Sequence, residues 1–137
     1  VAPTPGTGPE HYRDQYGELL GIEVVEAGEG RATATLTVGE RHANFLGLVH
    51  GGAVFSLADA ALAAASNSEA VTTAVATVVT IHLLRACRPG DDLVAEAERE
   101  HRGGRLALYR ITVLRLPERE LVAVAEGQVA IVGEPSD

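Results

Sequence analysis

The stretch Ala53-Val54-Phe55-Ser56-Leu57-Ala58-Asp59-Ala60-Ala61-Leu62-Ala63-Ala64-Ala65-Ser66-Asn67 decides the fold. Its alanine content predicts a helix over Ala53–Asn67. The helix is apolar nearly all the way round, with Asp59 as its one charge, so it is buried on most sides rather than lying on a surface. The simplest partner for such a helix is a sheet curled around it. The alternative is an ordinary sheet with the helix laid flat on one face.

The segments on either side supply that sheet. Val1–Pro9 is rich in Pro and Gly and reads as a flexible tail. Glu10–Leu20 reads as a short helix, with Tyr12, Tyr16, Leu19 and Leu20 at helical spacing and Gly21 as its stop. Ile22–Ala27 reads as a strand, Gly28-Glu29-Gly30 as a turn. Arg31–Val38 alternates: Ala32, Ala34, Leu36 and Val38 on one side, Thr33, Thr35 and Thr37 on the other, the period of a half-buried strand. After the helix, Val71–Arg85, Asp92–His101, Arg105–Leu116 and Glu120–Val132 read as strands. Gly103-Gly104 is a two-residue hairpin turn, and Pro117-Glu118-Arg119 turns again. Short turns between long strands imply antiparallel neighbours. The expected class is α+β, one domain over residues 10–133, with 134–137 as a C-terminal tail.

At 137 residues and 46% hydrophobic positions the chain suits one core and not two, and is not disordered throughout. Its longest apolar stretch, around Ala53–Ala65, is shorter than a membrane span and carries Asp59. The net charge of −8 argues against a nucleic-acid or anionic-membrane surface. One cysteine, Cys87, excludes a disulfide framework and a multi-cysteine zinc site. Val1–Pro9 lacks the basic start and apolar run of a secretory signal, so the cytoplasm is the expected compartment. Every basic residue is Arg, whose forked guanidinium suits phosphate and carboxylate.

The chemistry centres on Asn44-Phe45-Leu46-Gly47-Leu48-Val49-His50-Gly51-Gly52, followed by Asp59 inside the helix. Gly51 and Gly52 allow close backbone approach, just where free N–H groups and the positive end of a helix dipole point outward. Such a place suits a carbonyl oxygen that gains negative charge in a transition state, or a phosphate. Asp59 has two readings. A carboxylate in a dry site often has a raised pKa and a chemical task; it could also cap or bridge something structural, such as Ser56 or a strand Arg. His50 could be a general base, a metal ligand or a structural hydrogen-bonding residue. His11, His42, His50, His82 and His101 have no paired ligand spacing, so no metal is expected. Cys87 sits between Arg85 and Arg88 without a nucleophile motif and reads as a passive thiol. Ser56 is not in a Gly-x-Ser-x-Gly elbow, and neither a phosphate-binding loop nor a dinucleotide fingerprint is present.

The run His42–Asp59, with Asn-x-x-Gly-x-x-His-Gly-Gly followed by Asp in the helix, resembles the signature of hotdog-fold acyl-CoA thioesterases. Ala65-Ser66-Asn67-Ser68 is most similar to the phenylacetate-pathway (PaaI-like) branch. Thr80-Ile81-His82-Leu83-Leu84-Arg85 and the hairpin before Leu108-Tyr109-Arg110 also fit. The resemblance covers about Leu20 to Gly133. It implies a helix wrapped by a curved antiparallel sheet, and a homodimer whose sheets join, commonly paired into a homotetramer with active sites between chains. It implies that Asp59 attacks the thioester or activates water, and that the Gly51 N–H polarises the carbonyl. His50 and Asn44 would shape that site, and Thr77 would help position water. Asp59 and Gly51 of one site would come from different subunits. His82 stands where many relatives have Asp or Asn, and Arg85-Ala86 where they have Arg-Pro, which weakens any borrowed substrate preference. Arg85, Arg88, Arg102 and Arg105 are candidates for coenzyme A phosphates on electrostatic grounds.

The expected activity is therefore hydrolysis of an aryl- or arylacetyl-CoA, such as phenylacetyl-CoA, to the acid and free coenzyme A. No cofactor is expected, coenzyme A being part of the substrate. The rival from another class is a non-catalytic acyl-CoA-binding module that senses ligand. A third reading, a hydratase or dehydratase on the same fold, would pair His with a carboxylate in a sequence order not found here.

Overall fold

The computed structural model describes residues 8–69 and 73–133. Pro9–Tyr12 forms a 3-10 turn and Gln15–Leu20 a short helix, α1. The single helix expected over Glu10–Leu20 is thus broken at Arg13 and Asp14, and Pro9 belongs to the turn rather than to the tail. The break has a local cause: Asp14 caps α1, its side chain accepting the Gly17 N–H at 2.6 Å. Gly21, with φ of 79°, closes α1 in the left-handed region. Strands β1 (Glu23–Gly28) and β2 (Arg31–Thr37) follow as a hairpin. The alternation holds, since Ala32, Ala34, Leu36 and Val38 are all buried.

Helix α2 runs Gly51–Ser66, two residues earlier than expected, because the glycines form its first turn. Strands β3 (Ala74–Leu83), β4 (Asp92–Arg102), β5 (Leu106–Leu116) and β6 (Glu120–Ile131) complete one antiparallel sheet in the order β1-β2-β4-β5-β6-β3. Within the expected Val71–Arg85, residues 71 and 72 lie outside the described residues, as do those of the tails at 1–7 and 134–137. The β4–β5 turn spans Gly103–Arg105, closed by the Gly103 N–H on the Leu106 carbonyl, one residue longer than the glycine pair implied.

The sheet curls so that all six strands touch α2. Leu57, Leu62, Ala58, Ala61, Ala64 and Ala65 are fully buried against it. The two leucines each contribute about 1.5–3 kcal/mol of apolar burial, while the alanines let strands come close. The approach is tightest at Gly127 on β6, where any Cβ would run into Leu62. The wrapping is incomplete, however. Gly52, Phe55 and Ala63 are exposed, and Ser56, Asp59, Ala60 and Ser66 are half-buried. These positions recur at helical spacing and form one stripe along α2, turned away from the sheet.

Ser68 and Asn67, which contribute to the family resemblance, form a polar knot at the end of α2. Ser68 Oγ accepts the Gly30 N–H and donates to the Ala65 carbonyl, both at 2.8 Å. The Asn67 amide pairs with the main chain of Ala74, fixing the start of β3. That strand is an edge, bonded to β6 on one side, with Val75, Val78 and Leu83 about half exposed.

Candidate active site

The start of α2 is built by side chains that bond to their own loop. Asn44 Oδ1 accepts the N–H groups of Leu46 at 2.9 Å and Leu48 at 3.2 Å. The Asn44 carbonyl accepts the Gly47 N–H at 3.0 Å, and Gly47 has φ of 78°. Asn44 therefore shapes the loop, with its acceptor turned inward. The buried His42, one of five scattered histidines in the sequence, is a second organiser. Its Nδ1 accepts the Gly39 N–H at 2.8 Å, so its Nε2 carries the proton and donates to the Leu20 carbonyl at 2.6 Å. The His42 carbonyl in turn accepts the His50 N–H at 2.7 Å.

His50 caps α2. Its Nδ1 accepts the Gly52 N–H at 2.8 Å, leaving Nε2 to carry the proton on the exposed side of the ring. Of the first N–H groups of α2, those of Gly52, Ala53 and Val54 are taken by His50. None of the hydrogen bonds among the described residues uses the Gly51 N–H. The cap thus spends itself on one donor and leaves its neighbour free at the positive end of the helix. A Cβ on Gly51 would lie 2.9 Å from the Leu83 Cδ1.

Asp59 lies on the uncovered stripe of α2, half-buried. Burial pushes its carboxyl above the ordinary aspartate range, and the nearby carboxylate of Asp14 adds to the effect. No ion pair among the described residues involves Asp59, so the bridging to a strand Arg does not form. Ser56 is bonded instead to Tyr16, Oγ to Oη at 3.1 Å. Asp59 is eight residues after Gly51; at 1.5 Å per residue that is about 12 Å along the axis. A donor and a nucleophile that act on one carbonyl must both reach within about 3 Å of it. Gly51 and Asp59 of the same helix do not meet.

Thr77 sits at a bulge in β3, where Thr77 and Val78 together oppose Gln128. Its hydroxyl donates to the Gln128 carbonyl at 3.2 Å and accepts from the Gln128 side-chain amide at 3.1 Å. It is exposed. The four arginines also divide. Arg85 and Arg88 lie in the connection after β3, where the Cys87 carbonyl accepts the Val49 N–H at 2.8 Å, close to the start of α2. Arg102 and Arg105 flank the β4–β5 turn, at the far end of β4, about 33 Å away at strand rise. They do not form one cluster. Arg85 pairs with Glu120 at 3.3 Å, and Arg102 bonds the Gly103 carbonyl at 3.1 Å. Cys87 is fully buried, its thiol pushed up by burial, which agrees with a passive role. Among the described residues no helix is long and apolar enough to cross a membrane.

A lone carboxylate and a free helix-start N–H thus stand on one wrapped helix, and comparison with known proteins gives the family. The family model described as the thioesterase superfamily matches residues 46–122. The chain belongs to the thioesterase superfamily. It is a thioester hydrolase on the hotdog fold, of the PaaI-like type. It is 40% identical over 130 residues to a putative esterase of Deinococcus radiodurans, covering 95% of this chain and 88% of that one. It is 37% identical over 120 residues to the acyl-coenzyme A thioesterase PaaI of Escherichia coli, covering 88% and 84%. The solved structure of E. coli PaaI superposes with a TM-score of 0.85 at 35% identity, over 91% of this chain and 89% of that one.

Proposed function

We propose that the protein hydrolyses an aryl- or arylacetyl-CoA thioester, phenylacetyl-CoA-like, to the carboxylic acid and free coenzyme A. The relative named acyl-coenzyme A thioesterase supports the coenzyme A part. In this reading the Gly51 N–H receives the thioester oxygen as it becomes negative. Asp59 of a second chain either takes a proton from the attacking water and passes it to the departing sulfur, or attacks the carbonyl carbon itself to form an anhydride that water then opens, the thiolate of coenzyme A taking a proton from solvent. The protonated Nε2 of His50 borders the same place, and Thr77 helps hold the water. Arg85 and Arg88, in the connection that Cys87 ties to Val49 ahead of α2, are the better placed pair for coenzyme A phosphates.

The observation that carries this reading is the separation of Gly51 from Asp59 along α2. Each is half of a catalytic pair, and a second copy of the chain supplies the other half. The free edge of β3 offers the means, since an unpaired strand edge is a template for another strand. The proposed assembly is a homodimer, with pairing into a tetramer. Coenzyme A thioesters and a free buried cysteine both suit the cytoplasm as the compartment.

The test is a panel of acyl-CoA thioesters with a thiol-detecting dye. Arylacetyl-CoA should release thiol with the native chain, and Asp59→Asn should lower turnover by about 10²–10⁴. Binding of acyl-CoA without thiol release from any member of the panel would overturn hydrolysis in favour of sensing.

A further inference from the structure

The core of this protein is aliphatic, and its aromatic rings lie mostly outside it. The chain has two phenylalanines and three tyrosines, all among the described residues, and of these Tyr109 alone is buried. Phenylalanine ranks with the residues most often found inside proteins, yet Phe45 is 95% exposed and Phe55 36%. Phe55 stands on the uncovered stripe of α2, four residues after Gly51 and four before Asp59. Each step of four advances about 6 Å along the axis and turns about 40°. The residue therefore sits midway between the free N–H and the lone carboxylate, on the same face. Side chains four apart are neighbours, with Cβ atoms about 5–6 Å from one another.

Leu83 marks the Gly51 end of that face. A Cβ on Gly51 would point as the Phe55 Cβ does, and Cδ1 of Leu83 lies 2.9 Å from that position. Leu83 is itself half exposed, at the end of β3. The start of α2 is thus bordered by an aliphatic side chain from the strand and an aromatic one from the helix.

We propose that Phe55 is a specificity-determining residue, selecting aryl acyl groups by contact between rings. This deepens the function proposed above and rests on it, since the thioester oxygen must bind the Gly51 N–H. An arylacetyl group carries its ring one methylene from the carbonyl. With the oxygen on Gly51, that ring meets Phe55 one helical turn further on, at the ~4.5–7 Å between centroids where aromatic pairs attract. An aliphatic acyl group of the same bulk fills the space without the second quadrupole, so it gains less. Leu83 offers apolar contact to either group, and discrimination falls on the ring of Phe55.

The test compares phenylacetyl-CoA with cyclohexylacetyl-CoA, which has nearly the same bulk and no aromatic ring, in the native chain and in Phe55→Leu. Phe55→Met takes the place of the Leu variant should that one fail to fold. Native kcat/KM should favour the phenyl substrate. The variant should lower that preference about 2–12-fold while both substrates still release thiol. An unchanged preference in a folded variant overturns the proposal. So does an equal loss on both substrates, the mark of a ring that only packs. A second readout does not depend on turnover. Ring-labelled phenylalanine gives carbon NMR signals from Phe45 and Phe55 alone, and those of Phe55 are assigned by their loss in Phe55→Leu. The ligands are analogues of the two thioesters with a methylene between sulfur and carbonyl, which cannot be hydrolysed. The phenyl analogue should shift the Phe55 signals, and the cyclohexyl analogue should shift them less. Signals that respond to neither, or to both alike, overturn the proposal. A native chain that hydrolyses no thioester yet shows the selective shift refutes the proposed function and leaves aryl recognition by Phe55 standing.

Discussion

The Nδ1 atom of His50 accepts the Gly52 N–H at 2.8 Å, and the adjacent Gly51 N–H is left without a partner among the described residues. That one bond sets the tautomer of the ring, closes the first turn of α2 and leaves the Gly51 N–H open for the role proposed for it. The same bond removes Nδ1 as a base, so a structural role and an outward Nε2–H coexist on one ring.

His50→Asn should separate these roles. Its amide oxygen can cap the helix, so stability should stay within about 0.5 kcal/mol of wild type, whereas His50→Ala should lose about 1 kcal/mol. Denaturant midpoints measure this. Both variants lack the ring proton, and both should show reduced turnover.

Asp59→Asn should stabilise the protein at neutral pH while it abolishes most activity. The sign follows from the raised pKa of Asp59. The folded state holds this proton more tightly than the unfolded chain, so the group favours folding below the ordinary value of 3.8, and that advantage is lost as pH rises through the raised folded value. Charge on Asp59 therefore costs stability near pH 7. Thermal midpoints of variant and wild type should differ at pH 7, the variant higher, and converge below about pH 3.8.

Asn44→Ala removes the acceptor for two loop N–H groups. At about 0.5–1.5 kcal/mol for each hydrogen bond, a loss of about 1–3 kcal/mol is expected. Asn44→Asp keeps the acceptor and should retain most of that stability. Equal destabilisation by both in a urea melt would contradict the loop-shaping role.

Two inactive variants should repair each other if the site is shared. Gly51→Val blocks the approach to the N–H, and Asp59→Asn removes the carboxylate. Mixed after joint unfolding and refolding, each hybrid dimer would hold one intact site of two and regain up to about half the activity of a wild-type dimer. A mixture as inactive as its parents would place both groups in one chain's site.

Much of the fold is legible in the amino-acid sequence. The period of two in Arg31–Val38 and the alanine density of Ala53–Asn67 locate elements because burial alone fixes them. Asp59 stands out because a single charge on an oily helix needs a reason. Strand order is less accessible. Nothing local in Leu84–Asp91 says that this connection carries the chain from one edge, β3, to β4 beside β2. The docking of Pro9–Leu20 on α2 is hidden for the same reason, since Tyr12 and Tyr16 bond partners 55 and 40 residues away. The Asp14 carboxylate is a local helix cap; its reach to Asp59 depends on how two helices lie. Charge alone groups the four arginines, and the length of β4 divides them.

The alanine floor of α2 has a consequence for how such a protein can change. Ala58, Ala61, Ala64 and Ala65 are all fully buried between the helix and the strands. A single added methylene at any of them would lift or rotate the rod on which both Gly51 and Asp59 ride. Distances at a reaction centre many ångströms away would move together. The residues with the least chemistry thus calibrate the machine, and a drift toward new substrates would most cheaply begin on α1 and the loops, leaving that floor untouched.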